Sequence, residues 1–550
     1  MNPLASTKCA GRLLMALAAI SSILLMAACG SGGSPAIPNP VGFTNGSLNG
    51  TYVISMSGTD VNGSNEVVPF AIVGTITANG KGGFSGGTLD VNDPGNTGVN
   101  LGVAVSSSSS YNVSTDGRGT GTLMTSVATF KIDFVLTSTN HGLIALFEPG
   151  ATGSGTVDMQ SSASQSSLSS LAFSLSGADS SGFPLGTAGA FTLNSSGTIT
   201  SGIQDFNDNG SSAVSGLNGL LLTGGAVSLN SAGTSGTATL TNSSDSFGSL
   251  GFDVWVIDST HLKFIETDNT LNVLSGDAFT QQASFTPGQL VFTLGGLDST
   301  LQGPLAAGGF VTTDANGTLS NGTEDYNDAG IPNTVTGFSG ACSTSAPFSS
   351  GRCQLALNGF SNGALNSFVF AAYPSSSGVL LLEIDSLGLM QGAGYAQTAT
   401  SFTAPAGYGL NLSGLNTDGQ GNVGEVDDIA QFNASAIASP GVNMTGILNE
   451  NSILGGPDPS LSLSGTYTPD SPATGRGSIS VPSIGTFIGT LNLEYYVVDG
   501  STILFIDGDT VQVAVGTFQS QSSSSSAALP QSRISIVHPV VRPHSAMWRK

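Results

Sequence analysis

The chain is poor in charge, and poorest in positive charge. Charged residues make up 9% of its 550 positions, and 12 Lys and Arg stand against 35 Asp and Glu, so the formal net charge is −23. From residue 30 to residue 521 the basic residues are Lys81, Arg118, Lys131, Lys263, Arg352 and Arg476. A protein that binds nucleic acid needs a stripe of cations that displaces counterions from phosphates. The sequence therefore excludes nucleic acid as a partner.

Cysteine and tryptophan are also scarce. Of the four cysteines, Cys342 and Cys353 lie in the body of the chain, eleven positions apart in "ACSTSAPFSSGRC" between apolar strands. In an oxidising compartment this placement predicts a single hairpin disulfide. A zinc site would need further Cys or His nearby, and the segment has none. Trp255 is the one tryptophan before the C-terminal tail, which argues against an aromatic sugar-binding cleft.

The N-terminus has the pattern of an export signal. Lys8 and Arg12 precede a mainly apolar run at 13–28, which is too short for a membrane span and suits the core of a signal peptide. The run ends in "LLMAACGSGG", where two alanines precede Cys29. This segment resembles the lipobox of bacterial lipoproteins, with Met26 in place of the usual leucine. The resemblance implies cleavage by signal peptidase II before Cys29 and a diacylglycerol on its thiol.

The same resemblance predicts the location. An ordinary secretory signal with an unrelated cysteine is the alternative, but the polar tether "GSGGSPAIPNP" follows Cys29 at once, as an anchored domain would need. Gly30 stands where an aspartate would imply retention in the inner membrane. We therefore expect attachment to the outer membrane or cell surface, with the periplasmic face as the alternative. The acyl chains would carry this attachment, because no other segment reaches eighteen consecutive apolar residues.

Four copies of one unit follow. The segment "GGFSGGTLDVNDPG" recurs as "GTITSGIQDFNDNG", as "GTLSNGTEDYNDAG" and, in degraded form, as "GQGNVGEVDDIAQFN", which aligns Asp90, Asp205, Asp325 and Asp427. A second acidic landmark ends "LIALFE", "LKFIE", "VLLLE" and "ILFID" at Glu148, Glu266, Glu383 and Asp507. Each copy closes on a glutamine. A period this long predicts domains that bury their own cores, not the rungs of a solenoid.

The repeats set the predicted organisation. It comprises a signal peptide at 1–28, a flexible tether at 29–46, β repeats at 47–160, 168–282, 285–398 and 402–521 (the last degenerate), and a disordered basic tail at 522–550.

Strand signals dominate every repeat. Alternating apolar runs separated by Asn-Gly and Asp-Gly turns predict about eight short strands in each repeat, and fuller runs such as "DVWVI" and "SFVFAAY" predict strands covered on both faces. No segment after the signal peptide has helical periodicity. The expected fold class is all-β, with four tandem antiparallel β-barrel or β-sandwich domains. We favour an up-and-down barrel similar to lipocalins and avidin.

The first acidic motif is similar to part of a calcium loop. From Asp205, "DFNDNG" places oxygen side chains at positions one, three and five and glycine at six, but position twelve is Gly216 and no helices flank it, so a helix–loop–helix site is excluded. A looser calcium site remains open, formed by Asp90, Asn92, Asp93, Asp205, Asn207, Asp208, Asp325, Asn327 and Asp328. We favour a turn in which Asp and Asn bond their own backbone, with no cofactor.

Catalysis is the other chemistry that paired acids allow. Asp205 and Glu266 could act as the two carboxylates of a glycoside hydrolase, but four tandem copies of one active site would be unusual, so we expect no enzyme. "GFSGG" at 83–87 matches a nucleophile elbow, yet no helix follows it. His141 and His261 lack counterparts in the third and fourth copies, and we interpret them as turn residues.

The sequence thus favours a lipid-anchored protein of the cell envelope with a non-catalytic role. That role would be adhesion, envelope structure, or binding of an envelope polymer, a glycan or a small apolar ligand through repeated weak sites. An extracellular glycan hydrolase is the alternative. Beyond the lipobox, the chain resembles bacterial lipoproteins that carry tandem repeats.

Overall fold

The computed structural model describes residues 42–208, 217–244, 247–268, 270–298, 303–343, 351–361, 363, 367–418, 420–436, 442–484 and 489–522. The predicted signal peptide, the lipidation site at Cys29 and nearly all of the basic tail lie outside the described residues. No helix in the described part of the chain is long and apolar enough to cross a membrane.

The described residues are nearly all β. Repeat 1 contains β1 (Asn49–Val61), β2 (Val67–Asn79), β3 (Phe84–Asp93), β4 (Gly98–Ala104), β5 (Ser110–Val113), β6 (Arg118–Met124), β7 (Thr129–Leu136), β8 (His141–Glu148) and β9 (Ala151–Met159). Repeat 2 contains β10 (Ser170–Ala178), β11 (Pro184–Leu193), β12 (Ile199–Asp208), β13 (Leu220–Leu229), β14 (Ser235–Asn242), β15 (Ser249–Asp258), β16 (His261–Glu266) and β17 (Val273–Thr280).

The second half follows the same plan. Repeat 3 contains β18 (Gly288–Asp298), β19 (Gly303–Thr313), β20 (Leu319–Asp328), β21 (Ile331–Cys342), β22 (Cys353–Asn358), β23 (Ser367–Ser375), β24 (Gly378–Glu383) and β25 (Gly388–Ala396). Repeat 4 contains β26 (Ala406–Thr417), β27 (Val423–Ala434), β28 (Met444–Ser452), β29 (Gly456–Pro469), β30 (Arg476–Ile484), β31 (Gly489–Val497), β32 (Thr502–Asp507) and β33 (Gln512–Ser520). Two 3₁₀ turns, Asn45–Ser47 and Gln165–Ser167, precede the first two repeats.

Within each repeat, consecutive strands pair antiparallel, except β4 and β5 of repeat 1, and the first strand pairs with the last. Repeats 2, 3 and 4 are closed eight-stranded barrels of this up-and-down type, which confirms the predicted fold class. Repeat 1 is a nine-stranded sheet with β4 and β5 at its two edges. The fourth strand of repeat 2 is the single strand β13. Repeat 1 has two short strands, β4 and β5, in that position, because the serine run between them interrupts the strand.

Apolar side chains fill the barrels. In repeat 3, Phe292, Phe338 and Phe360 meet edge to face inside the barrel, and the remaining cavity there is about 40 Å³. An eight-stranded barrel is just wide enough for side chains to fill it. The interior of repeat 3 therefore has no room for a lipid, in contrast to the ligand-binding barrels of lipocalins.

Several strands are covered on both faces, as predicted. In "DVWVI" of β15, Val254 and Val256 belong to the barrel core. Trp255 and Ile257, on the opposite face, pack in a second apolar cluster that includes Val53 of repeat 1. The barrels are therefore packed against one another. A disulfide joins Cys342 to Cys353 across the β21–β22 hairpin, with Cα atoms 5.5 Å apart.

Candidate functional site

The repeated D-x-N-D motif is not a turn, contrary to our expectation. It forms the last four residues of the third strand in repeats 1, 2 and 3, which are β3, β12 and β20. Because successive side chains of a strand alternate between its faces, the first Asp and the Asn lie on one face and the second Asp on the other. We call the Asp and Asn that share a face the docking pair: Asp90 and Asn92, Asp205 and Asn207, and Asp325 and Asn327.

The aspartate of each docking pair binds the next repeat. In repeat 2, the Arg352 guanidinium donates to both oxygens of Asp205, with Nε–Oδ2 and Nη2–Oδ1 distances of 2.6 and 2.7 Å. Tyr373 also donates its hydroxyl to Asp205. Arg352 and Tyr373 belong to repeat 3, and the Asp205 side chain is fully buried. A bidentate, charge-assisted pair of this kind is among the strongest hydrogen-bonded contacts in proteins.

The same contact recurs one repeat later. Arg476 of repeat 4 donates to both oxygens of Asp325 at 2.6 and 2.8 Å, and the Tyr496 hydroxyl donates to Asp325 Oδ2 at 2.6 Å. In repeat 1 a tryptophan takes the place of both donors, because Trp255 Nε1 of repeat 2 donates to Asp90 Oδ2 at 2.8 Å. Burial, without a cation nearby to offset it, raises the pKa of Asp90.

The asparagine of each docking pair reaches the second acidic landmark of the next repeat. Asn92 donates to the main-chain carbonyls of Glu266 and Asn272, both at 2.9 Å. Asn207 donates to those of Glu383 at 2.9 Å and Gly388 at 2.7 Å. Asn327 makes the equivalent bonds to Asp507, Asp509 and Gln512. The two landmarks that recur in the sequence are thus the two halves of one interface.

The alignment of the fourth copy on Asp427 is wrong by one strand. Asp427 lies on the second strand, β27, whereas the third strand β28 carries Asn449 and Asn451. Asn451 donates to the carbonyls of Leu146 and Ala151, both at 2.8 Å, at the β8–β9 turn of repeat 1. The correct equivalent of Asp325 is therefore Asn449, 124 residues further on, which agrees with the other spacings of 115 and 120.

Polarity is reversed at this fourth contact. Asn449 Nδ2 donates to Asp133 Oδ2 of repeat 1 at 2.6 Å, so repeat 4 supplies the donor and repeat 1 the carboxylate. Burial raises the pKa of Asp133 to about 6, although the Asn449 hydrogen bond opposes that rise.

These contacts close a ring. Repeat 1 docks on repeat 2, repeat 2 on 3, repeat 3 on 4, and repeat 4 on repeat 1, always head to tail, and a head-to-tail interface gives a ring when its rotation closes. The closing glutamines act in the same way: Gln160, Gln397 and Gln521 each donate side-chain N–H groups to main-chain carbonyls of the following repeat. The four repeats are therefore not independent domains connected only by linkers.

The second acidic landmark is buried in repeats 2, 3 and 4, at Glu266, Glu383 and Asp507, and half-buried in repeat 1, at Glu148. Burial raises the pKa of Glu266 to about 8, with a smaller contribution from Asp268, and burial also raises the pKa of Glu148, Glu383 and Asp507. Asp205 and Glu266 are not brought together. They lie on β12 and β16, four strands apart in one eight-stranded barrel, and they contact repeats 3 and 1 respectively.

Among the residues that the structure describes, no group of three or more His, Cys, Asp or Glu is placed to hold a metal ion. The docking-pair aspartates instead accept hydrogen bonds from arginine, tyrosine or tryptophan of the next repeat, and the docking-pair asparagines donate their side-chain N–H groups to its main-chain carbonyls.

A cavity of about 620 Å³ lies at the hub of the ring. Its walls come from repeats 1, 3 and 4 and from the linker between repeats 2 and 3. Repeats 1 and 3 are on opposite sides of a four-membered ring, so a cavity that both of them line must lie at its centre. Apolar side chains form much of the wall, among them Leu143, Tyr395, Val498, Leu504 and Val515. We call this the central cavity.

The size and the wall of the central cavity mark it as the candidate binding site. Ligand sites in proteins are typically hollows of about 300–1,000 Å³ with mainly apolar walls and a few polar groups. The polar residues that line this cavity include His141, Thr156 and Asn411.

A charged cluster lies behind His141. His141 Nδ1 bonds Asp158 Oδ1 at 2.6 Å, while His261 Nε2 and Lys263 Nζ approach Asp277 Oδ1 at 2.6 and 2.5 Å. Burial tends to raise the pKa of Asp158, but the charge and hydrogen bond of His141, with Lys263 and His261, lower it overall. Both histidines begin strands, β8 and β16, so their interpretation as turn residues was wrong.

The partners of these charged groups have almost no signal in the sequence. Arg352, Arg476 and Lys263 stand out only as rare cations, and Asp158 and Asp277 do not recur as landmarks. In a chain with six basic residues between positions 30 and 521, that rarity was the usable signal: three of the six are matched to buried aspartates.

Comparisons with known proteins are consistent with an all-β chain and add little more. No protein-family model and no curated protein matches the chain. Among solved structures, a double mutant of Transferrin Binding Protein B from Haemophilus parasuis is 11% identical, covering 86% of this chain and 76% of that one, with a TM-score of 0.18. Kievitone hydratase from Nectria haematococca is 9% identical, covering 43% and 90%, with a TM-score of 0.15. Likeness at this level carries no argument about function.

Proposed function

We propose that this protein is a non-catalytic, lipid-anchored binding protein of the cell envelope, and that it holds a small molecule in the central cavity. The observation that carries the proposal is a hollow of about 620 Å³ with a largely apolar wall, at the place where repeats 1, 3 and 4 meet. Ligand sites in proteins are typically hollows of about 300–1,000 Å³ with mainly apolar walls and a few fixed polar groups. The central cavity fits that description.

Ring closure supports a single site over four weak ones. The cavity exists only where repeats 1, 3 and 4 meet, so it depends on the docking pairs that hold the ring together. The recurring acidic residues serve these interfaces, and the Asp205–Glu266 pair of the hydrolase alternative is divided between two of them. Binding therefore takes place once per chain.

The proposed location rests on the N-terminal sequence. The lipobox-like segment before Cys29 would attach the chain to the membrane through a diacylglycerol, and Gly30 favours the outer membrane or cell surface. The short polar tether then leads directly to the first described residue, Gly42.

Nile red, an uncharged amphipathic dye whose fluorescence rises in apolar surroundings, tests the binding site in the fragment 30–522. We expect saturable binding of one dye per chain. Val498→Trp, which adds bulk at an apolar residue that lines the central cavity, should abolish it. Ile257→Trp is the control, because Ile257 is similarly buried at the corresponding position of repeat 2 but does not line the cavity. Equal loss in both variants, or none in either, would contradict the proposal.

A further inference from the structure

We infer that the ligand of the central cavity is an amphipathic cation, with an ammonium group at the Asp499 carboxylate and an apolar part against the cavity wall. This inference rests on the proposed function and specifies the class of ligand. It follows from an oxygen of Asp499 that the fold does not use and from the charges of the other described residues around the cavity.

Asp499 lies in the turn between β31 and β32 and lines the central cavity. Its Oδ1 accepts hydrogen bonds from the main chain and side chain of Ser501 and from the main chain of Thr502, at 2.7, 2.8 and 2.8 Å. Its Oδ2 accepts none from the described part of the chain, and this oxygen is not among the described side-chain atoms that are buried without a partner. A molecule in the cavity can therefore reach a carboxylate oxygen that has no other contact.

The turn itself does not require a carboxylate. In repeats 1 and 3 a serine hydroxyl, Ser138 Oγ or Ser375 Oγ, accepts from main-chain N–H groups of the equivalent turn. In repeat 2 Asp258 fills the position and accepts at Oδ1 from the main chain and side chain of Thr260. One acceptor atom is thus enough to form the turn, and a second, charged oxygen is additional to that need.

The negative charge of Asp499 is not offset at the cavity. No lysine or arginine occurs among the described residues that line it. His141 also lines it, but its Nδ1 lies 2.6 Å from Asp158 Oδ1, so this pair is neutral when the imidazole is protonated and negative when it is not. The chain as a whole has a formal net charge of −23. A surface with an excess of one sign of charge attracts ligands of the opposite sign.

The wall beside Asp499 is apolar. Val498 directly precedes it in the chain, and Leu504 and Val515 line the cavity from the next two strands, together with Tyr395. A small hydrated ion would lose its water against such a wall, and this loss costs free energy. An ammonium group on a hydrocarbon body gains the burial of apolar area as well as the contact with the carboxylate.

A matched probe series tests this class by fluorescence titration of the fragment 30–522. The probes share one apolar body and differ in the head group: 2-naphthylmethylammonium, 2-naphthalenemethanol and 2-naphthoate. We expect the ammonium to bind at least about fivefold more tightly than the alcohol, and the carboxylate to bind most weakly. An increase in NaCl from about 20 mM to about 0.5 M should remove most of the difference between the ammonium and the alcohol, because salt screens the attraction.

Asp499→Asn isolates the charge. Asparagine keeps an acceptor oxygen for the turn, so Tm should change little. The affinity for the ammonium should fall about fivefold, the equivalent of a partly exposed ion pair, and the affinity for the alcohol should stay the same. Asp258→Asn is the matched control, because Asp258 forms the same turn in repeat 2 but does not line the cavity. It should leave all three affinities unchanged.

The outcomes separate the inference from the proposed function. The cationic ligand is wrong if the alcohol or the carboxylate binds as tightly as the ammonium, or if Asp499→Asn weakens ammonium binding no more than Asp258→Asn does. Ammonium binding that survives Val498→Trp would place the ion outside the cavity and would also overturn the inference. In each of these cases saturable binding of Nile red still supports a binding cavity. If no naphthyl probe binds and Nile red also gives no saturable signal, the proposed function itself is overturned.

Discussion

Replacement of Asp205 by alanine tests the interface between repeats 2 and 3. The change leaves the Arg352 guanidinium, whose side chain is 11% exposed, and the Tyr373 hydroxyl without their common acceptor. Removing one member of a buried ion pair typically costs about 3–5 kcal/mol, because the remaining charge stays buried and uncompensated. We therefore expect the free energy of unfolding to fall by about 3–5 kcal/mol.

The measurement is denaturant unfolding of the fragment 30–522, followed by circular dichroism. The chain offers a matched control in Asp116→Ala, because Asp116 also pairs with an arginine, Arg118, at 2.8 Å. That pair lies within one turn of repeat 1 and is less buried, with side-chain exposures of 17% and 25%. Asp116 also accepts from the Ser114 hydroxyl and the Arg118 main chain, so the control should lose some stability, but less than Asp205→Ala, because Arg118 can reach water when its partner is removed.

A double variant completes the test. Asp205→Leu with Arg352→Leu removes both charges together, and replacement of a buried ion pair by apolar residues is often neutral. It should therefore be more stable than Asp205→Ala although it carries more substitutions. If Asp205→Ala loses no more stability than Asp116→Ala, and the double variant gains nothing, the docking pair is not structural and the Asp205 carboxylate is free for other chemistry.

Three further predictions concern pH, calcium and the anchor. Burial raises the pKa of Glu266 and of Glu425 to about 8. Between about pH 4 and pH 8 the folded chain therefore keeps protons that the unfolded chain has lost. Stability should fall as pH rises through that window, by up to about 1.4 kcal/mol per pH unit for each group, so calorimetry should give a higher Tm at pH 5 than at pH 8; a flat profile would contradict the burial of neutral carboxyls. Millimolar calcium in place of EDTA should leave Tm unchanged, because the docking-pair aspartates already accept hydrogen bonds from side chains of the next repeat; a rise of several degrees that Asp205→Ala abolishes would restore the calcium site. Cys29→Ser should move the full chain from the membrane fraction to the soluble fraction on immunoblots, and continued membrane association would contradict the lipid anchor.

The barrel architecture could be predicted because short stretches of sequence determine its strands and hairpins. Alternating apolar runs set the strands, and Asn-Gly and Asp-Gly pairs set the hairpins between them. Runs such as "DVWVI" predicted that some strands are covered twice, although not by what. Their second cover is a neighbouring repeat, which no local pattern identifies.

The docking pairs show what the sequence leaves undetermined. Repetition marked Asp205 and Glu266 as important, but two functions, turn formation and catalysis, accounted for the pattern equally well without any partner. The actual partner, Arg352, lies 147 residues further along the chain. In the fourth copy Asn449 replaces the aspartate, and the carboxylate of this contact is supplied by Asp133 of repeat 1 instead. An alignment on acidic residues therefore selects Asp427, which lies on a different strand.

The central cavity was beyond prediction for a related reason. His141, Thr156 and Ser413 come from two repeats and acquire their common surroundings only when the ring is closed. None of them recurs as a landmark in all four copies. Periodicity detects what all four repeats share, whereas His141 and Ser413 have counterparts in only some of the repeats.

The reversed polarity between Asn449 and Asp133 limits which repeat can close the ring on repeat 1. The docking residue of repeat 2 is Asp205 and that of repeat 3 is Asp325, so either of them would bring a second carboxylate against Asp133, and such like-charge contacts are disfavoured. Asn449 alone among the four docking residues offers a donor to this carboxylate. A ring of two or three repeats, or an end-to-end chain in which repeat 3 of one molecule meets repeat 1 of another, would therefore lose this contact.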